Sequence, residues 1–438
     1  MRIEAFRSNI SYLFIPFSMK SSSDYRKVIK KARASLTWKP AKDELLYLYK
    51  FVADKLDPRD EDTCRCFHFH LADNRRSTFG LDSPDTWLTY NTTNRNGKVT
   101  YSASLQIPDV QLYCFSTGVC ILAIAMCFDT NDLMKIANTQ YYIKKVGRGQ
   151  LHTEVAAEGF SFMTLARNLT RELGNFDYFF YANPDTERAN FLTYVEHSGT
   201  EPIHKELHYL RWCMGETYTY AENPERDQRE SHQESDEKIW GISPESAVCV
   251  TRPDLGNKGF LRGTFFVNFN NQYLYMYVLL LHQKYELYNL LTRIGVGRYN
   301  DLEKLEEYRK ELFEFETDFV FSRITEVPQY QDLYDKISAA FALKDMYADV
   351  REPLISLSEE RRQESDKKQK AQDERMNRTL AVLSAITLIS AFTDLFALLG
   401  GLFAKLPEDT LALVQYIVLG LMVLPAAYLI ISLFRKKD

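Results

Sequence analysis

Two long apolar runs close the chain, and they set the strongest limit on what it can fold into. Residues 379–404 and 411–434 contain a single charge, Asp394, and are joined by the polar link Lys405-Leu406-Pro407-Glu408-Asp409. A helix needs roughly 20 apolar residues to cross a hydrocarbon core of about 30 Å, and each run has that length. The expectation is a two-helix transmembrane hairpin with spans at 379–404 and 411–434. Arg375 and Arg378 precede the first run, and Arg435, Lys436 and Lys437 follow the second. Lys and Arg stay on the inner side, which predicts a multi-pass protein of the inner (plasma) membrane with both termini cytoplasmic. Residues 12–17 are too few for a signal-peptide core and include Pro16, so no signal peptide is expected. The seven cysteines are then expected in a reducing compartment, without structural disulfides.

The rest of the 438 residues carries a different balance. The chain is 45% hydrophobic with a net charge of −5, enough for a large core and no argument for nucleic acid as a partner. Residues 1–272 mix strands and helices and read as an α+β cytoplasmic sensor domain. Strands are predicted at 12–17, 64–70, 101–107, 110–115, 119–127, 178–181, 247–251 and 264–267. Helices are predicted at 43–55, 132–144, 161–173 and 204–213. Ser116-Thr117-Gly118 is a turn signal that splits the apolar run 113–128 into two strands of a hairpin. Residues 221–238 are polar and acidic and read as a flexible surface insertion. From 273 to 378 the pattern is helical, with helices at 273–294, 300–326 and 331–349. Residues 358–378 are charged on nearly every face and run without a breaker into the first apolar run, which predicts one continuous helix over 353–404, part stalk and part span.

The end of the first run reads Gly400-Gly401-Leu402-Phe403-Ala404-Lys405-Leu406-Pro407-Glu408. It resembles the CorA superfamily of two-span metal-ion channels, whose pattern there is G-M-N-F, two residues, then M-P-E. Gly400, Phe403, Pro407 and Glu408 fall in register, and Met376-Asn377-Arg378 is similar to the start of the family's pore helix. The resemblance implies a CorA-like homopentamer with the first span lining a central pore. Leu402 stands where the family has the asparagine that holds hydrated Mg²⁺. A hard cation needs oxygen ligands, and leucine supplies none. Segments 12–18, 116–126, 132–146 and 273–291 resemble the CorA-like membrane effectors found beside type III CRISPR systems. That branch implies a channel or effector in antiviral defence, gated by a small nucleotide second messenger on the cytoplasmic domain. The alternative is a divalent-cation (Mg, Co or Ni) transporter; a third reading is a non-conducting scaffold that recruits an enzyme.

Around the first run, Asn377, Ser384, Thr387 and Asp394 share one helical stripe and are the candidate pore-lining residues. Gly400, Gly401, Leu402 and Glu408 form the candidate pore mouth. Ionisable groups inside a membrane are costly and face cavities, which favours Asp394 as a cation-attracting ring; Ser384 and Thr387 equally suit hydrogen bonds to their own helix.

Two signals stand out in residues 1–272. Tyr141, Tyr142, Lys144, Lys145 and Arg148 pair aromatics with basic groups beside a glycine-flexed loop, a combination suited to a nucleotide-type ligand; the bland reading is a helix end with lysines at its negative pole. Cys64, Cys66, His68 and His70 alternate as zinc-ligand types, but neighbours on one strand face lie about 7 Å apart, so a buried strand explains them better and no metal is assigned. No phosphate-binding glycine loop or catalytic triad motif is present, and the chain is not expected to be an enzyme.

Overall fold

The computed structural model describes residues 5–19, 24–41, 45–56, 64–156, 158–179, 188–296 and 302–402, with isolated positions between 412 and 428. The chain divides into one unit of residues 1–299 and 304–354 and a second of 300–303 and 355–438.

The first unit is organised on a mixed sheet. Its strands are β1 (Asn9–Met19), β2 (Trp38–Pro40), β3 (Cys66–Leu71), β4 (Leu88–Thr93), β5 (Val99–Phe115), β6 (Val119–Phe128), β7 (Gln150–His152), β8 (Phe176–Tyr178), β9 (Asn190–Glu196), β10 (Ser231–Ser235), β11 (Lys238–Ile242) and β12 (Ser246–Thr251). The order is β10-β11-β12-β9-β1-β6-β5-β3-β2, with β4 and β8 added beside β5 and β1 and β7 beyond β4. β9 and β12 run parallel, and the other pairs are antiparallel.

β1 explains the layering. Every residue of Asn9–Met19 is buried, so it alternates between two cores instead of core and water. Leu13, Ile15 and Phe17 face a cluster with Ile29, Ile136 and Leu165. Those three come from helices α1 (Tyr25–Ala34), α3 (Leu133–Ile143) and α4 (Phe162–Thr170). Helix α5 (His204–Arg211) adds Leu207 and Leu210 to the same layer. Tyr12 and Phe14 face the other way: Phe14 meets Tyr277 at 5.2 Å, and the Tyr12 hydroxyl donates to Asn270 at 2.6 Å. That second layer is a helical run from α7 (Lys258–Phe260) through α8 (Phe266–Asn268) to α9 (Leu274–Val296), with π-helical turns at Leu261–Phe265 and Phe269–Tyr273. Helices α10 (Leu302–Phe319) and α11 (Pro328–Ala340) complete it. The small helices α2 (Lys50–Leu56) and α6 (Pro224–Arg229) lie outside these layers, and α12 (Leu343–Leu402) runs from the first unit into the second.

Several local expectations hold. The Ser116-Thr117-Gly118 turn joins β5 to β6, with Gly118 at φ +100° and its N–H on the Phe115 carbonyl at 3.0 Å. Asp132 caps α3 through the N–H groups of Met134 and Lys135, and Ser161 caps α4, as such side chains do at helix starts. Others change. Residues 264–267 are helical because the helix that begins at Lys258 continues through them by π turns. Residues 221–238 form α6 and β10 and the start of β11, not a flexible insertion: Asp227 and Glu230 are drawn in by the buried Arg211.

The larger correction concerns fold class and location. The α+β domain with a transmembrane hairpin gives way to an α/β architecture on one large mixed sheet. Among the described residues, no helix is long and apolar enough to cross a membrane. Residues 379–402 belong to α12, where the charged run 358–378 precedes them and Ser384, Thr387, Ser390, Thr393 and Asp394 interrupt the apolar positions. The second expected span, 411–434, and the link with Glu408 lie outside the described residues apart from isolated positions. The multi-pass inner-membrane location is overturned on that finding, and the channel, transport and CRISPR-effector readings lose the hairpin on which they rested.

Candidate functional site

A cleft of about 1050 Å³ opens where α1, the lead-in to β3, the β5–β6 turn, α9 and α10 converge. Its residues come from five places in the chain, all within the first unit.

One wall is basic because α1 is amphipathic. Val28, Ile29 and Ala32 are buried, which turns Arg26, Lys30 and Arg33 outward along one stripe at i, i+4 and i+7. All three line the cleft. The Arg33 guanidinium sits 4.6 Å over the Phe67 ring, an arrangement that holds a cation over an aromatic face. Tyr25 lies beside them, its hydroxyl without a hydrogen-bond partner among the described residues; burial, with the thiols of Cys66 and Cys64 nearby, pushes its pKa upward.

The opposite wall is acidic, and most of it is already paired. Asp318 takes Lys55 at 2.6 Å and Arg65 at 3.1 Å. Glu311 accepts both arms of Arg293, at 2.7 and 3.1 Å. Glu314 is exposed and 3.8 Å from Lys310. Glu286 differs: it is 3% exposed, and its Oε2 has no hydrogen-bond partner among the described residues. Buried polar groups are nearly always hydrogen-bonded, so this atom marks the floor of the cleft. Burial first, and the charge of Glu311 second, push the Glu286 carboxyl up to about 8, against lowering by Thr117, Arg293 and Asn289.

Thr117 also meets His282, Oγ1 to Nε2 at 2.9 Å. His282 is wholly buried, stacked on Phe115 at 3.8 Å and held neutral by that burial. A hydroxyl beside an imidazole is the start of a nucleophile–base pair, but such a base needs a third group to orient it. Among the described residues the Nδ1 of His282 has no partner, so none of them serves as that third group.

Glu286 makes a prediction about the empty protein. An unfolded glutamate titrates near 4.5 and the folded one near 8, so folding favours the protonated form. The stability it contributes is full below pH 4.5 and is lost as pH rises to about 8, on the order of 3–5 kcal/mol in all. The charged groups facing it are Arg293 on α9, Glu311, Glu314 and Asp318 on α10, and Arg26, Lys30, Arg33 and Arg65 across the cleft. Glu286→Gln should unfold at a higher temperature than the parent chain above pH 8 and at the same temperature near pH 4. Parallel melting curves across that range would contradict the assignment.

The residues singled out in the sequence lie elsewhere. Lys144 is 4% exposed and bonds Glu245 at 2.6 Å and the Trp212 carbonyl at 3.3 Å. Tyr142 stacks on Tyr101 at 4.1 Å, and Lys145 lies 4.9 Å over Tyr141. Arg148 is exposed in the following turn. Tyr141, Tyr142 and Lys144 hold α3 to its neighbours, and none of the five lines the cleft.

Cys66, His68 and His70 share the β3 face that meets Phe115, Tyr113 and Gln111, while Cys64 packs in the opposite core. His68 is held by Gln111 at 3.0 Å and Tyr275 at 2.7 Å, and His70 by Asp109 at 2.8 Å. Among the described residues no group of three or more His, Cys, Asp or Glu is placed to hold a metal. Asn377, Ser384, Thr387 and Asp394 are exposed on α12, and the Thr387 hydroxyl donates to the Leu383 carbonyl one turn back. Gly400, Gly401 and Leu402 form the last residues of α12.

Fold and cleft together define an α/β protein with a mixed sheet between helical layers and a ligand-sized cavity of divided charge. Comparison with family models, with curated proteins and with solved structures finds no match to this chain.

Proposed function

We propose that the chain is a receptor for a small anionic ligand of nucleotide type, bound in the α1–α9–α10 cleft and not chemically transformed there. The observation that carries this reading is the stripe Arg26, Lys30 and Arg33 along one wall of a cavity of about 1050 Å³. Ligand pockets run to about 1,000 Å³, so the cleft is large enough for a mono- or dinucleotide. Arginines and lysines in a row suit phosphate oxygens. Tyr25 supplies a ring beside the stripe, and Ser116 and Thr117 supply hydrogen-bonding groups for the edge of a base. Binding without catalysis fits the missing orienting group at His282. Helix α12 begins within the ligand-binding unit and ends at Leu402 in the other, which makes it the element through which occupancy would be passed on. The receptor reading keeps the sensor half of the nucleotide-gated expectation and nothing of the pore.

Calorimetric titration with inorganic pyrophosphate and a panel of mono- and dinucleotides tests it. A binder is expected, and Arg33→Ala and Lys30→Ala should each weaken it. One charge-assisted hydrogen bond contributes about 1.5–3 kcal/mol, or roughly 10- to 100-fold in Kd. No binding by any member of the panel, or affinity unchanged in both variants, would defeat the proposal. Turnover of a bound nucleotide would defeat its non-catalytic half.

A further inference from the structure

The floor of the cleft carries more information than its rim. Of its four carboxylates, Asp318 is neutralised by Lys55 and Arg65, Glu311 by Arg293, and Glu314 is exposed with Lys310 nearby. Glu286 has no ion-pair partner among the described residues, and its Oε2 has no hydrogen bond although it is 3% exposed. The basic stripe of α1 does not meet that need, because its residues line the opposite wall of the same cavity. A buried carboxyl with an unused oxygen is a costly arrangement unless something completes it.

We propose that the cleft selects a zwitterionic ligand, with its anionic end on Arg26, Lys30 and Arg33 and a protonated amine bound by Glu286 as carboxylate. This rests on the receptor reading and adds the chemistry of the ligand's second end. The amine N–H groups donate to Oε2, while Thr117 and Asn289 support the carboxyl. Arg293 acts on Glu286 only through its charge, while its two terminal nitrogens bond Glu311. Because burial keeps the empty carboxyl protonated to about pH 8, arrival of the cation expels that proton. The amine keeps its own protons and the Glu286 proton leaves to solvent, so binding near neutral pH releases up to one proton.

The test uses the full chain and three sets of compounds: alkyl phosphates, ω-aminoalkyl phosphates with spacers of increasing length, and simple alkylammonium ions. Titrations run in buffers of different ionisation enthalpy, so that proton release is read directly. At the best spacer length the amine should tighten binding by about 10-fold or more over the matching alkyl phosphate, with proton release below pH 8. In Glu286→Gln, a neutral isostere of the protonated carboxyl, that preference should fall to about 1-fold and the proton release should drop to that of the matching alkyl phosphate. Equal affinity for amine-bearing and amine-free phosphates, or a preference that survives in Glu286→Gln, overturns the inference and leaves the anion site standing. Binding of alkylammonium ions that depends on Glu286, with no binding of any phosphate, overturns both the zwitterion and the anion site and leaves only a cation site at Glu286. Failure of all three sets overturns both.

Discussion

Arg211→Ala is expected to cost about 3–5 kcal/mol of folding stability, read as a lower denaturant midpoint. Arg211 ends α5 and is 1% exposed. Its guanidinium bonds Asp227 at 3.3 Å, His208 Nδ1 at 2.9 Å, and Glu230. Asp227 also accepts the Tyr220 hydroxyl at 2.6 Å, and the Arg211 carbonyl accepts Ser246 Oγ at 2.7 Å. Removing the side chain leaves two carboxylates facing each other at a partly closed edge of the sheet, and it is the stranded charge, more than the lost attraction, that destabilises. Arg211→Lys should recover only part of the loss, because an ammonium cannot span the three acceptors. A loss under about 1 kcal/mol would mean that water reaches the cluster.

The same cluster sets the acid limit of the fold. Burial first, then Arg211 and Arg226, hold His208 down to about 4, against 6.5 unfolded. Its contribution is full above pH 6.5 and is lost as pH falls toward 4. Burial alone would raise Asp227, but the Tyr220 hydroxyl, Arg226 and Arg211 outweigh it and hold it below 3.8, so its contribution is lost below that value. Both effects weaken the fold in acid, opposite in sign to Glu286, and acid unfolding should soften from pH 6.5 downward.

Phe14→Ala should cost about 3–5 kcal/mol by a different route. Phe14 is fully buried at the middle of β1, the strand that pairs with both β6 and β9. Its ring meets Tyr277 at 5.2 Å and Tyr12 at 6.3 Å, so truncation opens a cavity between sheet and α9 that two rigid strands and a helix cannot close. Leu36→Ala is the control: Leu36 is 77% exposed and should change stability by less than about 0.5 kcal/mol. Similar losses in the two variants would contradict the layered packing.

Some of this was legible in the linear chain. The Ser116-Thr117-Gly118 turn, the caps at Asp132 and Ser161 and the alternation of β3 are local, set by one residue's backbone freedom or one side chain reaching its neighbours. The cleft was not legible. Thr117 and His282 touch across 165 residues, and Glu286 looks in sequence like any helical glutamate. A signal did exist: Arg26, Lys30 and Arg33 form a helical stripe with apolar residues between them. It competed with Tyr141–Arg148, where Tyr141 and Tyr142 proved to be engaged in packing and Lys144 in its pair with Glu245.

By itself, then, the sequence determined the turns, the caps, the amphipathic stripe of α1 and the unbroken helicity of 358–378, because each depends on contacts within a few residues. Only the tertiary structure decided that β1 is buried on both faces, that residues 221–238 complete the sheet edge around Arg211, and that Glu286 lies unpaired on the floor of a cleft. It also decided against a span in the first run: composition suggested one, whereas among the described residues no helix is long and apolar enough to cross a membrane, and residues 379–402 continue α12 directly from the charged stretch 358–378. Burial and pairing are properties of what surrounds a side chain, and those surroundings are assembled from segments hundreds of residues apart.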